Sequence, residues 1–253
     1  MKLRLYIEVC SACNLKCLYC FEKDYEHIFL SADRIKMIIN NLQDVIEEVV
    51  ITGGEPTLHP LFDEIVRYIA NKIPVIVTTN GTNYPPSLFA NLLQDYDNIR
   101  IQVSLDSIEE STVNKLCGNG VYATVINTLD CLKNFSEQVS IATTLLNQSP
   151  TELLYLYEFA KKRNIKCYFP SLLPSGGVIS NWENIVPTVS HYIELEETLI
   201  DLIGNDKQEV ISSNKIETIL NNFFFNSRKR GLLCFKNRCS WIFVIMSSNG
   251  LFV

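Results

Sequence analysis

Cys10-Ser11-Ala12-Cys13-Asn14-Leu15-Lys16-Cys17-Leu18-Tyr19-Cys20 is the stretch on which the reading of this chain turns. Cys13, Cys17 and Cys20 form C-x3-C-x2-C, just past an apolar run. In that run Leu3, Leu5, Ile7 and Val9 alternate with Lys2, Arg4, Tyr6 and Glu8, the period of two of a β-strand. Three thiolates so close together, at the end of a strand, suit three irons of a [4Fe-4S] cube. The fourth iron then lacks a protein ligand and is open to a small molecule, as an open metal position is in catalytic sites generally. A structural zinc knot is the alternative. Zinc wants four ligands, the nearest histidine is His27, and Cys10 belongs to the strand.

Outward from that loop, short β-like runs alternate with helical patterns. Ser31 is placed to cap a helix whose apolar face is Ile35, Ile38, Ile39 and Leu42. Glu48 to Thr52 reads as the second strand. Pro60 is expected to open a helix with Leu61, Phe62, Ile65, Val66 and Ile69 inward. Pro74 to Thr79 is the third strand, and Asn80-Gly81 turns the chain. A weaker helix follows Pro86. Ile99 to Leu105 and Val139 to Thr144 are the fourth and fifth strands, with a helix over residues 121 to 134 between them. Pro150 to Arg163 is a strong helix and Ile165 to Phe169 the sixth strand.

Six strands separated by helices predict a parallel α/β sheet with right-handed crossovers. Six units are too few to close an eight-fold barrel, so the expectation is an open, partial (β/α)6 TIM-like barrel over residues 1–175. Its active face should lie at the strand C-termini, where the three-cysteine loop falls. Residues 176–253 read as a second region. Helices are expected near 188 to 203 and 214 to 225, then an apolar run Trp241 to Met246. The turn Ser247-Ser248-Asn249-Gly250 and Leu251-Phe252-Val253 would complete a hairpin that the sequence leaves short.

The chain has 253 residues, 47% hydrophobic and 20% charged, the composition of a globular protein. A net charge of -6 argues against nucleic acid or an anionic membrane as partner. Arg228-Lys229-Arg230 is a local basic exception, read as a solvated patch. No apolar run is long enough to span a bilayer. Nine cysteines without a charged-then-apolar leader predict a reducing, cytoplasmic setting and metal ligation rather than disulfides. Cys10, Cys117, Cys131 and Cys167 are scattered and read as small buried hydrophobes.

Three further segments carry a resemblance. Gly53-Gly54-Glu55-Pro56 follows the second strand, Thr79-Asn80-Gly81 the third, and Ser104-Leu105-Asp106 ends the fourth. With the cysteine motif, these are similar to the radical S-adenosylmethionine (radical SAM) superfamily, from about residue 4 to 175. The tail resembles the opening of a truncated SPASM or twitch extension, found in peptide-modifying members. The resemblance implies a [4Fe-4S] cluster on Cys13, Cys17 and Cys20 whose free iron chelates S-adenosylmethionine (SAM). Reductive cleavage would then give a 5′-deoxyadenosyl radical that abstracts hydrogen from a substrate. It implies SAM contacts from Tyr19 near the adenine, from the Gly53-Gly54 backbone and Glu55 near the ammonium, and from Ser104. Asp106 would reach ribose hydroxyls or cap a helix, and Asn80 would serve as turn residue or SAM-side contact. In peptide-modifying relatives the segment like Asn114-Lys115-Leu116-Cys117-Gly118 often has arginine in place of Cys117, which leaves one SAM contact to another residue. His59 reads as a helix-start residue.

The implied function is an oxidoreductase, peptide-maturase-like, acting on a peptide or protein, with a flavodoxin or ferredoxin as electron donor. The alternatives are a small-molecule enzyme of a cofactor-biosynthesis type and a truncated, inactive remnant that keeps the cluster. Cys234 and Cys239 are too few for an auxiliary iron–sulfur cluster, which would need further cysteines from a longer chain.

Overall fold

The computed structural model describes residues 3–20, 27–169, 180–205, 211–212, 233–237 and 240–245. The chain groups into two compact units, one of residues 1–14, 24–102 and 231–253, the other of residues 15–23 and 103–230.

In the first unit the strands are β1 (Leu3–Cys10), β2 (Ile46–Gly53), β3 (Val75–Thr79) and the start of β4 (Ile99–Ser104). β1 and β2 pair in parallel, Leu5 opposite Val49 and Ile7 opposite Ile51. β3 continues the ladder, with Val75 beside Val49 and Val77 beside Ile51. These residues are buried, so the apolar alternation read from the sequence becomes one core face. Helices α1 (Ala32–Leu42), α2 (Phe62–Ala70) and α3 (Pro86–Asp95) cross between the strands. Ser31 caps α1 by accepting the N–H of Arg34, and Ile35 and Ile39 supply its buried face. Pro86 starts α3 at the position where a missing N–H costs nothing.

One expectation is corrected here. Pro60 does not open α2, which begins at Phe62, and Leu61 is exposed rather than inward. The N–H of Leu61 is held by His59 Nδ1 two residues back, so Leu61 sits in the turn before the helix. The apolar run near the C-terminus is a strand, β9 (Ser240–Ile245), but it pairs antiparallel with an upstream strand, β8 (Leu233–Asn237), Cys234 facing Phe243. β9 also joins the edge of β1 antiparallel, Leu5 opposite Val244. The sequence reading missed β8. The Asn249-Gly250 turn and the arm beyond it lie outside the described residues.

The second unit contains the end of β4, then β5 (Val139–Ala142), β6 (Lys166–Phe169) and the short β7 (Ile211–Ser212) in that order. β5, β6 and β7 are parallel, with Ile141 opposite Cys167 and Tyr168 opposite Ile211. α5 (Val121–Cys131) buries Val125 and Leu129, and α6 (Pro150–Lys162) buries Leu153, Leu156 and Ala160. α6 opens with a capping box: Ser149 accepts the Glu152 N–H, and Glu152 accepts the Ser149 N–H in return. α4 (Glu110–Cys117) is a helix that the sequence reading did not assign. A one-turn helix α7 (Trp182–Ile185) and α8 (Val189–Asn205) follow, the latter close to the expected span. The expected helix near 214 to 225, the boundary near 175, the basic stretch 228–230 and Cys239 lie outside the described residues. No helix among the described residues is long and apolar enough to cross a membrane. Cys10 and Cys167 are buried as expected, and burial pushes each thiol up to about 12. Cys131 is exposed, because it ends α5 off the face that carries Val125 and Leu129.

Candidate functional site

Where β2 ends, the backbone of residues 53 and 54 runs against the start of the cysteine loop. Gly54 N–H donates to the Cys10 carbonyl at 2.9 Å and Glu55 N–H to the Ala12 carbonyl at 2.7 Å. A Cβ on Gly53 would lie 2.2 Å from the Cys10 oxygen, and one on Gly54 2.4 Å from the Ala12 oxygen. Gly53 also has φ +149°, a conformation L side chains rarely adopt. The need for two glycines is therefore visible in the chain itself: backbone passes backbone here with no room for a side chain.

Glu55 is fully buried. Its Oε1 accepts from Thr57 N at 3.1 Å, Thr57 Oγ1 at 2.6 Å and Thr79 Oγ1 at 2.8 Å, and Oε2 accepts from Asn80 N at 2.7 Å. Burial pushes its pKa up, and these four donors oppose the shift by favouring the ionised form. Asn80 in turn donates from Nδ2 to Asn14 Oδ1 at 2.9 Å and to the Cys13 sulfur at 3.9 Å, and its Oδ1 accepts from Thr82 N at 2.9 Å. Glu55, Asn80 and Cys13 thus form one connected group. His59, buried nearby in sequence, accepts from Leu61 N at Nδ1, so the proton sits on Nε2, which faces the Leu30 carbonyl at 2.9 Å. It is a structural tie, as expected.

The second unit holds Cys17, Tyr19 and Cys20 together with the end of β4. The Tyr19 hydroxyl donates to Asp106 Oδ2, and Asp106 Oδ1 accepts from Thr144 N at 2.9 Å. Burial holds Asp106 at about 6, above its ordinary 3.8, against the two hydrogen bonds that favour its charge. Gln148 closes the group, donating from Nε2 to the Asp106 carbonyl at 3.1 Å and to the Thr144 carbonyl at 2.8 Å. Asp106 does not cap the next helix; Ser107 Oγ accepts the Glu109 N–H there. Ser104 is exposed at the end of β4. The Cys17 thiol is pushed up, first by a hydrogen bond with the Cys117 thiol and then by burial. Cys117, Thr144 and Gln148 are the members of this group that the sequence reading missed. The departure from the family pattern was a signal for Cys117 alone; Thr144 and Gln148 had none.

None of Cys13, Cys17 and Cys20 is in a disulfide. As the chain stands, no three described side chains gather closely enough to hold a metal ion. The donor chemistry nevertheless fits an iron–sulfur cube: three thiols on one eight-residue stretch, none in a disulfide and each only half-buried. On α4, three residues before Cys117, the buried Asn114 Oδ1 accepts no hydrogen bond from any described residue.

The chain's residues 7–160 match the family model of the radical SAM superfamily, and the chain belongs to that superfamily. Its cofactors are accordingly a [4Fe-4S] cluster and SAM. Among curated relatives, GTP 3′,8-cyclase of Campylobacter jejuni (strain RM1221) is 27% identical over 84% of this chain and 69% of its own length. Mycofactocin maturase MftC of Mycolicibacterium smegmatis is 28% identical over 76% of this chain and 50% of its own. Among solved structures, Streptococcus suis SuiB bound to precursor peptide SuiA superposes with a TM-score of 0.70 at 21% identity, over 83% of this chain and 48% of SuiB. Native anSMEcpe with bound AdoMet and Kp18Cys peptide gives a TM-score of 0.67 at 20% identity, over 81% of this chain and 60% of that one. The chain spans only about half the length of SuiB. The fold is the open, partial (β/α)6 barrel of these proteins.

Proposed function

We propose that this chain is the catalytic core of a radical SAM enzyme that modifies a peptide or protein. Cys13, Cys17 and Cys20 hold the cluster, and the backbone at Gly53 and Gly54, with Tyr19, Glu55, Asn80, Ser104 and Asp106, surrounds bound SAM. The observation that carries this reading is the C-x3-C-x2-C motif, none of its thiols in a disulfide, following directly on Cys10 and Ala12, whose carbonyls lie against a glycine pair that tolerates no Cβ. When bound, cluster and SAM supply reductive cleavage of the sulfonium to a 5′-deoxyadenosyl radical. The protein's share is placement. Asn80 steadies the loop at Cys13 and Asn14, and Glu55 steadies Asn80. Tyr19 is held by Asp106, which keeps its ring beside Cys20 in the chain. Ser104 keeps an exposed hydroxyl for a ligand at the end of β4. A flavodoxin or ferredoxin supplies the electron.

MftC is named a maturase, and SuiB and anSMEcpe were solved with peptides, which favours a peptide substrate. A small-molecule substrate is the second reading, favoured by the match to GTP 3′,8-cyclase over 84% of the chain. Reconstitution with iron and sulfide without air, then SAM and dithionite, tests the class. Release of 5′-deoxyadenosine by the wild type, and its loss with the brown chromophore in Cys17→Ala, is the expected result. A chromophore unchanged in Cys17→Ala refutes the ligand assignment. A loaded cluster that never cleaves SAM refutes the enzymatic reading in favour of the inactive remnant.

A further inference from the structure

Asn181 stands at the N-cap of α7 and makes no side-chain cap there. An asparagine in this place ordinarily accepts an N–H of the helix's first turn. Instead its Nδ2 donates to the carbonyl of Leu18 at 2.9 Å. Leu18 is the residue between Cys17 and Tyr19. A side chain placed to serve its own helix is spent on the cysteine loop, and such breaches of a local rule gather at functional sites.

The hold on Leu18 is two-sided. Its N–H donates to the Leu116 carbonyl on α4 at 2.9 Å, while its carbonyl accepts from Asn181. The first bond fixes the Cys17–Leu18 peptide and the second the Leu18–Tyr19 peptide. Each peptide is planar, so fixing both sets the direction in which Tyr19 leaves the backbone. Ile185, at the other end of α7, is buried in one group with Leu116, Leu146, Leu18 and Tyr19. The Tyr19 hydroxyl then meets Asp106. Gln148, which donates to the Asp106 carbonyl, has its own carbonyl held by His191 Nε2 on α8. The segment after β6 therefore grips the loop directly at Leu18 and, through Gln148, at the support of Tyr19.

We propose that Asn181 is a positioning residue for SAM, acting through the Leu18–Tyr19 peptide and the ring of Tyr19. The inference rests on the reading that Tyr19 lies beside bound SAM.

The test compares the full chain with Asn181→Ala, with Asn181→Asp, which keeps the shape but as a carboxylate cannot donate, and with Leu129→Ala. Leu129 is buried on α5 and lies outside the group around Ile185, so its truncation lowers stability without touching the loop. In apoprotein, amide hydrogen exchange at Leu18 should be about three- to ten-fold faster in both Asn181 variants, the effect of one lost hydrogen bond on local opening. Leu129→Ala should stay near wild type. After reconstitution without air, iron content should be equal in all four proteins. SAM, followed by equilibrium dialysis, should bind about three- to ten-fold more weakly to the Asn181 variants alone. Unchanged exchange at Leu18, or a rise shared by Leu129→Ala, overturns the hold. Faster exchange with unchanged SAM affinity overturns the role assigned to it. Iron loss confined to the Asn181 variants overturns it too, because Asn181 would then serve the cluster rather than SAM. A wild type that binds no SAM sinks the reading of Tyr19 instead, and exchange at Leu18 still decides the hold by itself.

Discussion

Replacing Asp106 by Asn should make the protein's stability less sensitive to pH, in a direction its surroundings dictate. Asp106 is buried and accepts from the Tyr19 hydroxyl and from Thr144 N–H. Its carboxyl is held at about 6 in the folded chain, against 3.8 for the free group. The folded state therefore binds the proton more tightly than the unfolded state, and this group's contribution to stability falls as pH rises through 6. At 1.36 kcal/mol per pKa unit the full effect is about 3 kcal/mol. About 2 kcal/mol of that falls between pH 4.5 and 7.5, the rest at lower pH. An amide of the same shape titrates nowhere in that range. Its oxygen can take the Thr144 N–H while its NH2 donates to Tyr19, whose hydroxyl then turns toward Cys117. Urea unfolding of apoprotein and Asp106→Asn at pH 4.5 and 7.5 measures the difference. The variant should gain about 2 kcal/mol on wild type between the two pH values. A variant-minus-wild-type stability difference that stays constant, or that falls as pH rises, refutes the reasoning and places Asp106 in a solvated setting.

The first unit makes two sharper demands. Glu55→Gln keeps an oxygen for Thr57 and Thr79 but turns an NH2 toward Asn80 N–H. The orphaned donor should cost about 1–3 kcal/mol, partly offset by removal of a buried charge, and an unchanged urea midpoint at pH 7 would show that Asn80 does not depend on the carboxylate. Gly54→Ala would place a methyl 2.4 Å from the Ala12 oxygen and 2.6 Å from the Ser11 oxygen. It should lower stability by about 3 kcal/mol, visible in thermal unfolding of the apoprotein, and a variant that melts with wild type would contradict the packing described.

What the sequence disclosed, and what it withheld, divides by range. Strand and helix identities followed from local periodicity. Leu5, Ile7 and Val9 alternate, Ile35 and Ile39 repeat at helical spacing, and Ser31 sits where a cap must sit. The C-terminal strand was equally legible, but its partner was not. β9 pairs with β8 just upstream, which the sequence reading passed over, and with β1, and that second pairing, across about 240 residues, leaves no local trace. α4 was missed because Glu110 to Cys117 is a short polar segment whose buried residues are Val113 and Leu116. Among the site residues, the glycine pair was legible as a need for close approach. What it approaches, the carbonyls of Cys10 and Ala12, is a tertiary fact. Gln148 and Thr144 lack any motif, and only the geometry brings them to Asp106.

The two acidic motif residues show how burial constrains a candidate ligand. A carboxylate removed from water must be met by donors or lose its charge. Glu55 is met by four, from Thr57, Thr79 and Asn80, and every group facing it is a donor that a protonated acid could not satisfy as well. Its hydrogen bonds are spent holding the β3 turn, and through Asn80 they reach Cys13. Asp106 is met by two, one of them the hydroxyl of Tyr19, between Cys17 and Cys20 in the chain. These two donors offset its burial only in part, and it is left near 6, so ordinary changes of pH alter its charge. In each unit a buried carboxylate at a strand end therefore fastens a piece of the cysteine loop.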